Sequence, residues 1–326
     1  MRQIMGSRKK SGESIRNNYG LRIMNYEFEI KSGIPQRLDV FLTKETGLSR
    51  SKIKRDILDG NVRVNNEVVK KVSYELRIEE TVKIRTTEIK KTSLIPQKGE
   101  FKVVFEDEDI LVINKDFDMT VHPGIGNHDH TLTNYVYEYL VSFPFLVHRL
   151  DKDTSGLIVI AKNEENLLKL QRQWKDRTVK KFYKTLVKGQ PDSVEGMIDS
   201  PIKRNGKNRQ QMTVSIQESA KNAKTHFQVM EMYEDSSLLD VQIFTGRTHQ
   251  IRVHFQAIGN PVIGDVVYGD KKINKIYKDQ YDLERQFLHA YKIEFKHPKT
   301  EKSLKLEIPL AKDLQEVIEQ LKINNG

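Results

Sequence analysis

The stretch that most constrains this chain is His148-Arg149-Leu150-Asp151-Lys152-Asp153-Thr154-Ser155-Gly156-Leu157. Neither the two-residue period of a half-buried strand nor the 3.6-residue period of an amphipathic helix fits it. It therefore reads as a loop, dense in charge and hydroxyl groups. Directly behind it, Leu157-Ile158-Val159-Ile160-Ala161 is a short apolar run that predicts a buried strand. A polar loop fixed to a core strand is a good mount for chemistry, because the scaffold holds it still. A salt-bridged turn would look similar, since ion-pair networks mimic sites.

The rest of the composition narrows the possibilities. The 326 residues suffice for one large domain and one small one. The chain has no cysteine, which excludes disulfides, thiolate metal sites and a thiol nucleophile, and suits a reducing, cytoplasmic setting. No apolar run approaches the roughly 20 residues needed to cross a bilayer, and residues 1–20 lack the apolar core of a signal peptide. Net charge is +10, and it is concentrated: residues 1–100 carry 22 Lys/Arg against 13 Asp/Glu, whereas residues 101–326 are nearly balanced. A basic N-terminal third attracts a polyanion such as RNA through counterion release.

Residues 1–25 are polar and aperiodic and are expected to form a disordered basic tail. Residues 26–86 read as a small α+β domain. Tyr26 to Ile30 predicts an edge strand. Leu38, Phe41 and Leu42 mark one face of a short helix ended by Gly47, and Ser49 caps a second helix with Ile53, Ile57 and Leu58 inward. Val62-Arg63-Val64 and Val82-Lys83-Ile84 predict short strands. Residues 87–100 read as a linker, and 101–326 as the large domain.

In the large domain, two strands at Val103–Phe105 and Ile110–Ile113 lead into a loop from Asn114 to Gly124. Helices are expected over residues 132–142 and Glu164–Arg177, a strand over Lys180–Val187, and a hairpin from Thr225 to Phe244. Tyr183 on that strand could stack on a base and still offer a hydroxyl. In Gly246-Arg247-Thr248-His249-Gln250-Ile251-Arg252-Val253-His254-Phe255, Thr248 predicts a helix cap. Ile251, Phe255 and Ile258 would share an apolar face, and His249, Arg252 and Gln256 a polar one. An arginine presented from such a packed base is suited to hold a carboxylate.

These stretches carry a resemblance. H-R-L-D, two residues, then T-S-G-L resembles the catalytic signature of the RluA-type pseudouridine synthases. Lys181-Phe182-Tyr183 resembles the second motif of that family, and Gly246–Phe255 with Gly259-Asn260-Pro261-Val262-Ile263-Gly264-Asp265 to Tyr268-Gly269 resembles the last. Leu288-His289-Ala290 also fits, with His289 read as structural. The family's lysine is usually followed by proline; here Asp116 follows Lys115, and Asp118 stands further on. Arg37-Leu38-Asp39 to Val64 resembles the RNA-binding domain of small-subunit ribosomal protein four.

The resemblance implies an α+β fold: a large mixed, mostly antiparallel sheet with flanking helices, preceded by the small RNA-binding domain. It implies isomerisation of uridine to pseudouridine in RNA, with large-subunit (23S) ribosomal RNA favoured as partner by the small domain. Neither cofactor nor metal is expected. Asp151 matches the catalytic aspartate, Arg252 its partner, and Tyr183 the residue against the base. Ile251 is expected to close the other side of the base and Arg149 to hold the turned-out nucleotide. His148, Leu150, Thr154, Arg247 and His249 complete the expected substrate-binding set. The residues alone leave two other readings open: an RNA-binding assembly factor without catalysis, and a carboxylate-based glycoside hydrolase.

Overall fold

A computed structural model describes residues 6–10, 21–31, 36–89, 94–124, 127, 129–206, 208 and 211–324. The chain divides into two compact units, Met1–Ser93 and Leu94–Gly326. No helix among the described residues is long and apolar enough to cross a membrane.

The first unit begins with β1 (Gly6–Lys10), β2 (Leu21–Ile30) and β3 (Gln36–Arg37). Helices α1 (Leu38–Thr46) and α2 (Arg50–Leu58) follow, then β4 (Val62–Val64), β5 (Glu67–Val68), β6 (Glu75–Leu76) and β7 (Thr81–Ile89). The main sheet runs β1-β2-β7-β4-β5, and β3 pairs with β6. The local signals explain the helices. Gly47 ends α1 at φ 75°, where a residue without Cβ is unstrained, and the Ser49 hydroxyl accepts the Lys52 N–H at 3.3 Å. Leu38, Phe41 and Leu42 of α1 and Ile53 and Ile57 of α2 are buried against Phe28, Val62, Val82 and Ile84 of the sheet.

Two expectations change here. Part of the supposed disordered tail is ordered: β1 pairs antiparallel with β2, Gly6 opposite Ile30 and Lys10 opposite Tyr26. The strand at Tyr26–Ile30 is therefore interior, because β1 supplies backbone partners that hydropathy does not reveal. Residues 1–5 and 11–20 lie outside the described residues. The linker also contracts. β7 runs to Ile89, while Leu94 is buried and Ile95 and Gln97 hydrogen-bond to Asn134, placing residues 94–100 with the large unit.

The large unit contains β8 (Lys102–Glu106), β9 (Ile110–Lys115), α3 (Leu132–Leu140), β10 (Phe145–Leu146), β11 (Ser155–Ala161) and α4 (Glu164–Lys175). Next come β12 (Lys180–Lys188), β13 (Glu195–Asp199), β14 (Ile202–Arg204), β15 (Met212–Val214), β16 (Lys224–Met232) and β17 (Ser236–Ile243). The chain closes with α5 (Gln250–Ala257), α6 (Lys271–Tyr281), β18 (Leu288–Lys296), β19 (Ser303–Glu307) and α7 (Lys312–Asn324). The large sheet follows the order β13-β16-β17-β12-β18-β11-β9-β8, with β10 on β11 and β19 on β18. Its described pairings are antiparallel except β11 with β18. Strand β11 is buried along its whole length, as its uninterrupted apolar sequence requires.

Candidate active site

The decamer connects β10 to β11, and almost every residue in it is held by a specific partner. The His148 ring lies on Trp174, centroids 5.1 Å apart, and its Nε2 accepts the Val159 N–H at 3.0 Å. Burial pushes its pKa down to about 3, so the ring is neutral near pH 7. Leu150 is buried in the core with Tyr183 and Ile251. The Thr154 hydroxyl accepts from Gln286 at 2.7 Å, and its N–H closes a turn onto the Asp151 carbonyl. Ser155 bonds to Nδ1 of His289, whose Nε2 bonds to the Pro309 carbonyl. Gly156 sits at φ 119°, with the space a Cβ would need occupied by the Ala290 carbonyl. The glycine of the motif is thus required by the one parallel strand contact, Gly156 beside Ala290.

The segment after β9 braces the same loop; of the two departures, Asp118 takes part through its side chain and Asp116 only through a backbone carbonyl that proline would also offer. The Lys115 ammonium is fully buried and donates to the carbonyls of Asp116, Met119 and Lys152 at 2.7–3.0 Å. Burial, with Arg285 nearby, pushes its pKa down to about 7. Asp118 pairs with Lys152 at 2.7 Å. Arg285, itself held by Asp313, donates to the Asp153 carbonyl at 3.1 Å and lies over the Phe117 ring. The exposed Arg149 makes no hydrogen bond or ion pair among the described residues, and the Asp151 carboxylate still reaches solvent.

Asp151 meets Arg252. Nη1 of Arg252 donates to Oδ2 of Asp151 at 3.1 Å. The opposite edge of the guanidinium is gripped by Asp265: Nε to Oδ2 at 2.6 Å and Nη2 to Oδ1 at 2.9 Å. Asp265 is fully buried, whereas the Asp151 side chain is 21% exposed, so the guanidinium is anchored on the dry side and presented on the wet side. Burial alone would lower the Arg252 pKa, but Asp265 and Asp151 hold it above the usual guanidinium value. Asp265 also accepts the N–H groups of Val267 and Tyr268, and the Tyr268 ring lies 5.0 Å from the guanidinium carbon.

The other motif residues gather around this pair. Tyr183 is buried, and burial together with the Asp151 charge raises its pKa, keeping the phenol protonated. A bulge in the β12–β18 ladder falls at Tyr183, between Phe182 and Lys184, where it can re-aim the side chain. His249 Nε2 lies 3.9 Å from the Asp151 carboxylate, and its Nδ1 is 2.8 Å from the Tyr268 hydroxyl. That hydroxyl also accepts from the Met212 N–H at 2.8 Å. Burial lowers the His249 pKa, keeping the ring neutral near pH 7.

Of the expected substrate-binding residues, then, Arg149 and His249 border the open carboxylate, while Leu150 and Ile251 pack with Tyr183. Arg247 is half-buried and donates to the Asn222 carbonyl at 3.0 Å. His148 and Thr154 are buried, with His148 Nε2 accepting from the Val159 N–H and the Thr154 hydroxyl accepting from Gln286. Thr248 does not cap α5. His249 occupies the N-cap in the left-handed region, and the Gln250 side chain ties Thr245, Arg247 and Lys224 together instead. On the expected polar face of α5, Arg252 and His249 both approach Asp151 and Gln256 is exposed. The expected apolar face stops short, because Ile258 is 41% exposed.

Asp265 was not singled out by sequence reasoning, although the Gly264-Asp265 pair stood in the tail pattern. Lys181, which opens the Lys181-Phe182-Tyr183 motif, is half-buried beside Gly246 and makes no hydrogen bond among the described residues, and burial pushes its pKa down to about 8. The described residues also bring together Asp107, Asp109 and His297, a set that could hold a metal. His297 Nδ1 accepts two backbone N–H groups, which leaves Nε2–H to donate to Asp107 at 2.8 Å, so the trio reads as a tie between two hairpins.

Comparison with known proteins identifies the family. A family model for RNA pseudouridylate synthase matches residues 109–257, and one for the S4 domain matches residues 36–82. The chain is 38% identical over 298 residues to an uncharacterized RNA pseudouridine synthase of Bacillus subtilis (strain 168), covering 89% of this chain and 95% of that protein. It is 34% identical over 291 residues to ribosomal large subunit pseudouridine synthase D of Zymomonas mobilis, covering 86% and 92%. Among solved structures, human RNA pseudouridylate synthase domain containing 1 aligns with a TM-score of 0.55 at 26% identity, over 69% of this chain and 97% of that one. The chain belongs to the RNA pseudouridylate synthase family and joins that enzyme's mixed-sheet domain to an N-terminal S4 domain.

Proposed function

We propose that this pseudouridine synthase acts on uridines of large-subunit ribosomal RNA and that Asp151 is its catalytic group. The supporting observation is the directed ion pair: a guanidinium anchored by buried Asp265 meets a carboxylate that still reaches solvent. The charge-assisted hydrogen bond from the adjacent cation fixes the direction in which the carboxylate faces. The ionised Asp151 either attacks the ribose at C1′ or takes a proton from the sugar. The N1–C1′ bond breaks, the uracil turns, and C1′ bonds to C5. The proton lost from C5 is balanced by one gained at N1, so the net change is an isomerisation.

Tyr183, protonated and packed with Leu150 and Ile251, serves as an apolar wall for the base and not as the proton acceptor. Arg149, exposed and without a partner among the described residues, holds the turned-out nucleotide or its phosphate. Turning a base out costs a few kcal/mol, least where it is already unpaired, so loops and bulges are the favoured sites. The ribosomal assignment rests on the S4 domain and on relatives named for the large ribosomal subunit.

The test is a map of pseudouridines by carbodiimide-blocked reverse transcription in cells with and without the gene, complemented by wild type or Asp151→Asn. The expected result is loss of large-subunit sites, restored only by wild type. Asp151→Asn should still bind RNA within a few-fold. Restoration by the variant would overturn the catalytic assignment, and loss confined to transfer RNA would overturn the substrate.

A further inference from the structure

The first unit holds a second arrangement of arginines around a buried carboxylate. Asp39, in the first turn of α1, is 2% exposed. Four guanidinium N–H bonds converge on it. Arg37, just before α1, gives Nε to Oδ1 at 3.0 Å and Nη2 to Oδ2 at 3.2 Å. Arg50, the first residue of α2, gives Nε and Nη2 to Oδ2 at 3.1 and 3.0 Å. Burial would raise the Asp39 pKa, but the two arginines outweigh it and hold the carboxyl below its ordinary value. Two cations on one anion leave a net positive centre.

The arginines are not themselves buried: their side chains are 48% and 63% exposed. Each uses Nε and Nη2 inward, and each Nη1 makes no hydrogen bond among the described residues. Two hollows meet at this point. One, of about 520 Å³, is lined by Arg37, Asp39, Arg50 and Lys54. The other, of about 630 Å³, is lined by Arg37, Lys71, Glu75 and Arg77. Arg37 and Ser73 border both. Lys54, Lys71 and Arg77 form no ion pair among the described residues. Arg37, Arg50, Lys54, Lys71 and Arg77 thus border the two hollows against Asp39 and Glu75, and that surplus of cations suits the repeated charge of an RNA backbone.

We propose that Asp39 is a positioning residue for RNA binding: it sets the two arginine forks so that their outer nitrogens grip neighbouring phosphodiesters of a strand crossing both hollows. The inference deepens the RNA-binding part of the proposed function and rests on it. It is also separable from plain charge attraction. Removing the Asp39 charge makes the surface more positive, so attraction alone demands tighter binding, whereas positioning demands weaker binding.

The experiment compares wild type, Asp39→Asn and Arg50→Lys in the full chain. Binding to a fluorescein-labelled RNA stem-loop is followed by anisotropy across a salt series. The expected result is affinity weakened about three- to tenfold in each variant, with the slope of log K against log salt shallower by about one. Lysine keeps the charge of Arg50 but cannot supply the fork. Either folded variant binding as tightly as wild type, with an equal or steeper slope, overturns the proposal. If Asp39→Asn melts the first unit by circular dichroism, Arg50→Lys, altered at an exposed position, decides alone. Pseudouridine mapping with wild type is read separately, so failure of the enzymatic reading is not confused with failure of this one.

Discussion

Replacing Asp265 by asparagine removes one charge from the site at almost constant volume. The consequence can be worked from the hydrogen bonds. Oδ1 takes the N–H groups of Val267, Tyr268 and Arg252 Nη2, and Oδ2 takes Arg252 Nε. An amide offers one oxygen and one NH2 group, so whichever way it is turned a donor faces a donor. Removing one partner of a buried ion pair costs about 3–5 kcal/mol. At roughly 2–4 °C per kcal/mol for a domain of this size, the large unit should melt about 6–20 °C lower. The freed guanidinium keeps Asp151 as its one carboxylate partner and no longer has a fixed edge behind it. A misplacement of about 1 Å in such a group costs on the order of a hundredfold in rate. Calorimetry reads the first effect. Tritium release from RNA carrying uridine labelled at C5 reads the second, because C5 loses its hydrogen when it bonds to C1′. An Asp265→Asn protein that melts within about 2 °C of wild type and turns over at the same rate would refute the anchoring argument.

Gly156→Ala should destabilise the large unit by at least about 3 kcal/mol, since the added Cβ would lie 2.3 Å from the Ala290 carbonyl oxygen at a φ that L-residues avoid; denaturant titration checks this. Tyr183→Phe should keep most single-turnover activity and Tyr183→Ala should lose it, and equal rates in the two would remove the wall role. His148 and His289 have folded pKa values pushed down to about 3 and 4 from an ordinary 6.5, so the unfolded chain takes up the protons first. Their contribution to stability is therefore complete above about pH 6.5 and is lost as pH falls toward 3–4, by up to a few kcal/mol each. A His148→Gln variant should flatten that acid limb in urea titrations between pH 4 and 7; an unchanged limb would count against the buried neutral ring.

What could be read from the sequence were features with local causes. The helices α1 and α2 follow from apolar spacing, Gly47 and Ser49, and β11 follows from its unbroken apolar run. The meeting of Asp151 with Arg252 is a contact across 101 positions, and it was readable only because two motifs named its partners. Other features have no local signature. Nothing near Asp265 announces that it turns back onto an arginine 13 residues earlier. A histidine among charges suggests solvent, yet His148 is drawn into the core by Trp174 and the Val159 N–H. Helical periodicity groups Arg252 with His249 and Gln256 on one face of α5, but it does not reveal that Asp265 and Asp151 together draw the arginine down to 5% exposure.

The parallel contact of β11 with β18 has a bearing on when the protein becomes competent. The loop bearing Asp151 is propped by Gln286, His289 and, through Arg285, Asp313. Those props are synthesised more than a hundred positions after the loop they support. A folding intermediate that has formed the Asp151 loop and β11 but not yet docked residues 285–313 has the right letters and no assembled cleft. Closing that long circuit is a late event set by sequence separation.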